Sequence, residues 1–125
     1  MNLMKFVQRT LVTVASGAAI AALAFGAQAA DKKIKIGVIY DYSGPLAGGG
    51  SDLQALGAKI MIDHLNSQGG VEGYMIEPIY ADAQSKPEVA INEAVRLIEQ
   101  ENVDMLLGFY SSAQCVPVAA KIDSL

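Results

Sequence analysis

The sequence predicts an α/β fold, a parallel sheet with flanking helices in the order β-α-β-α-β-α. Three observations predict it. Apolar runs at residues 34–40, 75–81 and 103–108 have strand length. The stretches between them carry apolar residues at helical spacing. The connections are short, and parallel neighbours need crossovers of the kind these helices supply.

The first thirty residues stand apart. Residues 1–9 carry Lys5 and Arg9 and no acid, residues 10–30 carry no charge, and Ala27-Gln28-Ala29 is a small-x-small cleavage pattern. Residues 1–29 are therefore expected to be a cleaved secretory signal peptide. An uncleaved anchor is the alternative, since the uncharged stretch nearly spans a bilayer. No cysteine stands near the site for lipid attachment.

The chain of 125 residues holds 9 basic and 13 acidic groups. Removing the leader with its two basic residues leaves seven against thirteen, a net charge of −6 for residues 30–125. That balance, without a basic patch, argues against nucleic acid as a partner. Cys115 is the single cysteine, so no disulfide forms within this chain and a hydrophobic core must hold the fold.

Ile34-Lys35-Ile36-Gly37-Val38-Ile39-Tyr40 alternates and then turns continuously apolar, as a strand entering a buried parallel sheet does. Ser43-Gly44-Pro45 and Gly48-Gly49-Gly50 break the chain into a loop. A helix follows over about 52–67. Ser51 with Gln54 reads as a capping box, and Leu53, Leu56, Gly57, Ile60, Met61, His64 and Leu65 read as its buried stripe. Gly69-Gly70 ends it. The second strand contains Pro78, which suits a sheet edge. Ser85-Lys86-Pro87-Glu88 reads as a second capping box, opening a helix with Ile91, Ala94, Val95 and Ile98 inward and an end near Asn102. The third strand is expected at 103–108 and a third helix over 115–125. The helical pattern is still running at Leu125, so the chain reads as a fragment of a longer protein.

Ligands of open parallel sheets bind beyond the carboxyl ends of the strands. Three loops lie there, at 40–50, 81–86 and 109–114. The last carries Ser111-Ser112-Ala113-Gln114 just before a helix, where free N–H groups and a partial positive charge suit a carboxylate. Two readings stand: the serines hold a ligand, or Ser111 merely caps the helix with Gln114 closing a capping box. Pro117 lacks an N–H and places a regular helix start no earlier than about Gln114. The glycine run is no phosphate loop, because Leu53 stands where a dinucleotide pattern needs glycine and no Gly-Lys-Ser/Thr follows. No cofactor is implied. His64 and Cys115 make no metal cluster. Asp41 has no catalytic partner in the sequence, Asp82 is expected to cap its loop, and Glu99, Glu101 and Asp104 are expected to be solvated.

Taken together, Ile36-Gly37-Val38, Ser43-Gly44-Pro45-Leu46-Ala47, Gly57-Ala58, Asn66-Ser67-Gln68-Gly69-Gly70-Val71-Glu72-Gly73, Asp82, Gly108 and Ser111-Ser112 resemble the leucine/isoleucine/valine-binding family of type I periplasmic solute-binding proteins. The resemblance spans about 34–125. It implies a two-lobed α/β protein that closes around its ligand like a hinge and hands it to the membrane permease of an ABC importer, without catalysis. Residues 30–125 are then the N-terminal part of lobe one, placed in the periplasm. By the same resemblance Ser112 is the nearest counterpart of the carboxylate-binding serine, with Ser111 and the Ala113 backbone beside it. The 40–50 loop lines the cleft. Some members carry a large aromatic near Gly49. Its absence here, with Tyr42 and Tyr110 as aromatic walls beside Phe109, shifts the expected ligand from a branched-chain amino acid towards an aromatic or other small carboxylate. Some members also join two cysteines in lobe one, for which Cys115 has no partner in this chain. Two alternatives remain at this level: a sensory ectodomain of the same fold, and an enzyme on a flavodoxin-like or dinucleotide-binding sheet, which the missing phosphate motif disfavours.

Overall fold

The computed structural model describes residues 32–125. The expected leader lies outside the described residues. Three strands, β1 (Lys33–Tyr40), β2 (Met75–Asp82) and β3 (Met105–Gly108), alternate with three helices, α1 (Asp52–Ser67), α2 (Pro87–Glu99) and α3 (Ser112–Ile122). The sheet order is β2-β1-β3, with both pairings parallel. β1 pairs with β2 from Lys33↔Met75 to Tyr40↔Asp82 and with β3 from Ile36↔Met105 to Ile39↔Gly108.

The first strand is thus the innermost, as its apolar run predicts. The crossover from β1 to β2 and the one from β2 to β3 travel in opposite directions, so crossovers of one hand place α1 and α2 on opposite faces. The burial pattern agrees. Ile36, Val38 and Tyr40 pack with Ala55, Ile62 and Ile76 on the α1 face. Ile39 packs with Ala81, Ala90, Ala94, Leu97 and Val118 on the face shared by α2 and α3. Alternate β1 residues serve alternate faces, and fully burying Ile39 or Leu97 contributes about 1.5–3 kcal/mol each. Pro78 sits in β2, which pairs on one side only within this sheet, so its missing N–H breaks no ladder.

Several local expectations are corrected. α1 does not bury the stripe at Leu53, Leu56, Ile60 and Met61. All four are exposed, as is His64, while Ala55 and Ile62 are buried and Ala58 and Leu65 support them. Two apolar stripes share this helix, and the sheet takes the one whose small alanines let the helix sit close. Neither capping box forms, since Ser51 and Ser85 spend their hydroxyls on distant backbone and the residue preceding α2 is Lys86. α2 ends at Glu99 and buries Leu97 in place of Ile98. β3 begins at Met105, because Asp104 takes the Lys35 amide on its carboxylate and donates its own amide to the Lys35 carbonyl. Glu101 is not simply solvated but pairs with Arg96 at 2.9 Å. α3 starts at Ser112, ahead of the position that Pro117 suggests. The proline falls in its second turn and removes only one internal donor.

Candidate functional site

In the order β2-β1-β3 the chain leaves β1 first to one side and later returns to the other. The carboxyl ends of β1 and β3 therefore border a topological switch point, where their following loops diverge and leave a crevice. The β1 side is the segment 41–51, ending in a wide π-type turn over Ala47–Ser51. The β3 side is 109–111 and the amino end of α3.

Glycine is required on each side. Gly108 has φ 143°, and a Cβ there would run into the Ile39 carbonyl of the neighbouring strand. Gly50 has φ 130°, and its missing side chain leaves room for the Tyr110 ring, which a Cβ would meet at 3.2 Å. Tyr110 crosses between the two loops, its hydroxyl donating to the Gly49 carbonyl at 2.8 Å. Phe109 is held at φ 71°, a left-handed conformation uncommon for a bulky residue. This turns its ring down against the α2–α3 core, away from the crevice.

Beneath the crevice lies a buried polar knot. The Asp41 amide donates to the Ser51 hydroxyl at 2.8 Å. The Asp41 carboxylate Oδ1 accepts from the Ser85 amide at 2.7 Å and from Gln114 Nε2 at 2.7 Å. One carboxylate thus ties together the segments following all three strands, and Asp41, Ser51 and Gln114 are all buried. Among the described residues Asp41 Oδ2 and Gln114 Oε1 have no protein partner. The sequence shows neither role. Gln114 stands 73 residues from Asp41, and it anchors α3 where a capping box had been expected.

The other junction is tied differently. Asp82, at the end of β2, accepts the Tyr42 amide at 3.0 Å, the Ser43 amide at 3.3 Å, the Ser43 hydroxyl at 2.6 Å and the Gln84 amide at 2.8 Å. Burial opposes its charge, but the Ser43 hydroxyl and these three amides outweigh it and hold the carboxyl below its ordinary value. The loop-capping role expected of Asp82 is present.

The expected site residues fall in two places. Ser111 precedes α3 in extended conformation and its hydroxyl accepts the Ala113 amide at 3.2 Å, so it does cap the helix. Ser112 is exposed, and among the described residues neither its hydroxyl nor its amide has a protein partner. Ser111, Ser112, Ala113, Tyr110 and Gly49 therefore gather at the switch point. Tyr42 does not join them. Asp82 draws the Tyr42 and Ser43 amides towards β2, and the Tyr42 ring lines a separate recess of about 420 Å³ with Asp52, Ala55, Leu56, Lys59 and Tyr80. Burial there, with Tyr80, Tyr40 and Asp82 nearby, pushes the Tyr42 phenol up to about 12. Among the described residues no three acidic, histidine or cysteine side chains cluster to hold a metal.

Residues 33–124 match the family described as periplasmic binding protein. A Leu/Ile/Val-binding protein homologue of Brucella abortus is 42% identical over 106 residues, 85% of this chain and 26% of that protein. Among solved structures, the branched-chain amino acid transporter substrate binding protein LivJ of Streptococcus pneumoniae, in complex with isoleucine, superposes with a TM-score of 0.70 at 29% identity, over 74% of this chain and 26% of that one. An ABC transporter solute binding protein of R. palustris, in complex with 4-hydroxybenzoate, gives a TM-score of 0.60 at 31% identity, over 74% and 25%. The chain belongs to the periplasmic binding protein family. It spans about a quarter of the length of these relatives.

Proposed function

We propose that this chain is the opening part of lobe one of an extracytoplasmic solute receptor, which captures an amino acid or a small aromatic carboxylate and delivers it to an ABC permease without chemistry. The observation that carries the reading is Ser112. A hydroxyl and an amide with no partner among the described residues stand at the positive end of an eleven-residue helix, beside the switch-point crevice. A ligand carboxylate would accept from both. Ser111 and the Ala113 amide hold that turn in shape, and Tyr110, fastened to Gly49, supplies an apolar wall. Tyr42 faces another recess and is left out of the ligand set.

The relatives support this range of ligands, one being in complex with isoleucine and another with 4-hydroxybenzoate. The reading includes residues 1–29 as a removed export signal, in keeping with relatives that are periplasmic binding proteins.

The test is a thermal-shift screen of the full-length, leader-free protein against amino acids and benzoate-type carboxylates. A ligand bound only by the folded state raises the midpoint, by about 2.7 kcal/mol of stabilisation at a hundred times its dissociation constant. The expected result is a shift with one class, lost in Ser112→Ala. No shift with either class, or a shift indifferent to Ser112→Ala, would sink the assignment.

A further inference from the structure

Three residues of α3 turn inward at intervals of four: Gln114, Val118 and Ile122. Val118 and Ile122 pack on the core, and an apolar side chain at 114 would do the same. A carboxamide there carries a desolvation penalty. Gln114 is 1% exposed, its Nε2 donates to Asp41 Oδ1 at 2.7 Å, and its Oε1 has no partner among the described residues. The burial holds whatever the length of the full chain, because further chain can only cover these groups more. The place of the bond shows what it is for. The sheet ends where the Phe109 amide donates to the Ile39 carbonyl at 2.9 Å. Beyond it, among the described residues, two hydrogen bonds tie residues 110–114 to another segment: Tyr110 to Gly49 and Gln114 to Asp41. Gly49 lies in a glycine turn with open space where its side chain would be, which makes it a yielding anchor. Asp41 directly follows β1, is fully buried, and is held by the Ser51 hydroxyl and the Ser85 amide. It is the rigid post.

We propose that Gln114 is a positioning residue, whose bond to Asp41 sets the first turn of α3 and with it the Ser112 hydroxyl and amide; this rests on the reading of Ser112 as the carboxylate contact. A helix turns about 200° over two residues, so Ser112 and Gln114 face apart and Gln114 acts on a solute only through the turn. The apolar contacts of Val118 and Ile122 hold the helix against the core but are non-directional, and they leave it free to slide. A hydrogen bond weakens steeply as its distance or angle departs from ideal, so the bond at 114 fixes the helix along its axis. Two donors aimed at one carboxylate need that restraint, since a binding constellation works only when held to within about 0.5 Å.

The experiment is amide hydrogen exchange, read by mass spectrometry, on the full-length, leader-free protein and on Gln114→Met, which nearly conserves side-chain volume. The expected result is exchange at least about tenfold faster over residues 113–116, with wild-type rates over residues 119–122, β1 and α2. The unmoved segments certify that the variant folds, and a residue that merely adds stability would shift all of them together. Calorimetry with isoleucine and with 4-hydroxybenzoate supplies a second readout. A probe that binds the wild type should bind Gln114→Met at least about fivefold more weakly, because the donors are no longer held in place. Ile62→Val, a small core loss on the opposite face of the sheet, should leave that affinity unchanged. Unchanged exchange over residues 113–116, an equal rise in every segment, or a bound probe indifferent to Gln114→Met would overturn the proposal. Ser112→Ala separates the two readings. A probe that binds Ser112→Ala as tightly as wild type sinks the ligand role of Ser112, while the exchange pattern of Gln114→Met still decides whether residue 114 sets the turn.

Discussion

The two junctions that flank β1 are built on the same plan and finished differently. On the β2 side, the Asp82 carboxylate receives four hydrogen bonds, and the loop carrying Tyr42 and Ser43 is closed on itself. On the β3 side, the Asp41 carboxylate is buried deeper, yet among the described residues one of its oxygens, one of Gln114, and the hydroxyl and amide of Ser112 have no partner. Buried polar groups left incomplete are rare enough to need a reason. The closed junction is structural. The open one is where a further polar group, water or solute, has bonds to make.

The contrast can be broken most severely at Asp41. Asp41→Ala removes the acceptor for the Ser85 amide and for Gln114 and leaves both buried, so we expect a loss of about 2–4 kcal/mol in chemical denaturation of the full-length protein. A loss no larger than that of an exposed site would mean that water satisfies the knot already. Asp82→Asn comes next, with a cost of about 1 kcal/mol at neutral pH, because its donors remain solvated. Its effect carries a pH signature. The folded state lowers the pKa of this carboxyl from 3.8, so its contribution is complete above that value and is lost as pH falls below it. Denaturation curves of wild type and Asp82→Asn should therefore converge in acid, and curves that stay parallel would contradict the assignment.

Smaller effects sharpen the comparison. Tyr110→Phe deletes one half-exposed hydrogen bond to Gly49 and should cost no more than about 0.5–1 kcal/mol. If the Tyr110 strap shapes the ligand wall, solute affinity measured by calorimetry should fall more than stability does. Ser112→Ala should leave stability within about 0.5 kcal/mol, since its hydroxyl has no partner among the described residues, while abolishing the ligand-induced thermal shift.

How far this could be read from the sequence depended on the range of the interaction. The strands, the crossovers and the parallel sheet follow from local periodicity, and the β-α-β-α-β-α order is present as expected. The buried row of α1 is not legible in the sequence because the helix has two apolar rows. Periodicity favours the bulkier Leu53–Leu56–Ile60 row, whereas packing against β1 selects Ala55, Ala58 and Ile62. Ser51 and Ser85 were read as caps because capping is the local use of a serine; their partners, the Asp41 amide and the amide and carbonyl of the 43–46 turn, come from tertiary folding. Ser111 capped as its neighbours dictated. Gln114 was bound elsewhere, and only the buried setting of Asp41 explains why.

The central position of β1 has a kinetic consequence. It is the first strand of the described chain to be synthesised, and one of its edges waits for β3: Ile36 finds Met105 only after roughly 70 further residues. Such a sheet cannot zip up from its beginning. The other edge of β1 finds β2 sooner, since Lys33 pairs with Met75, so Ile36 to Ile39 hold one edge open until the third strand arrives. The emergence of Met105–Gly108 is therefore the event that closes the second edge of β1.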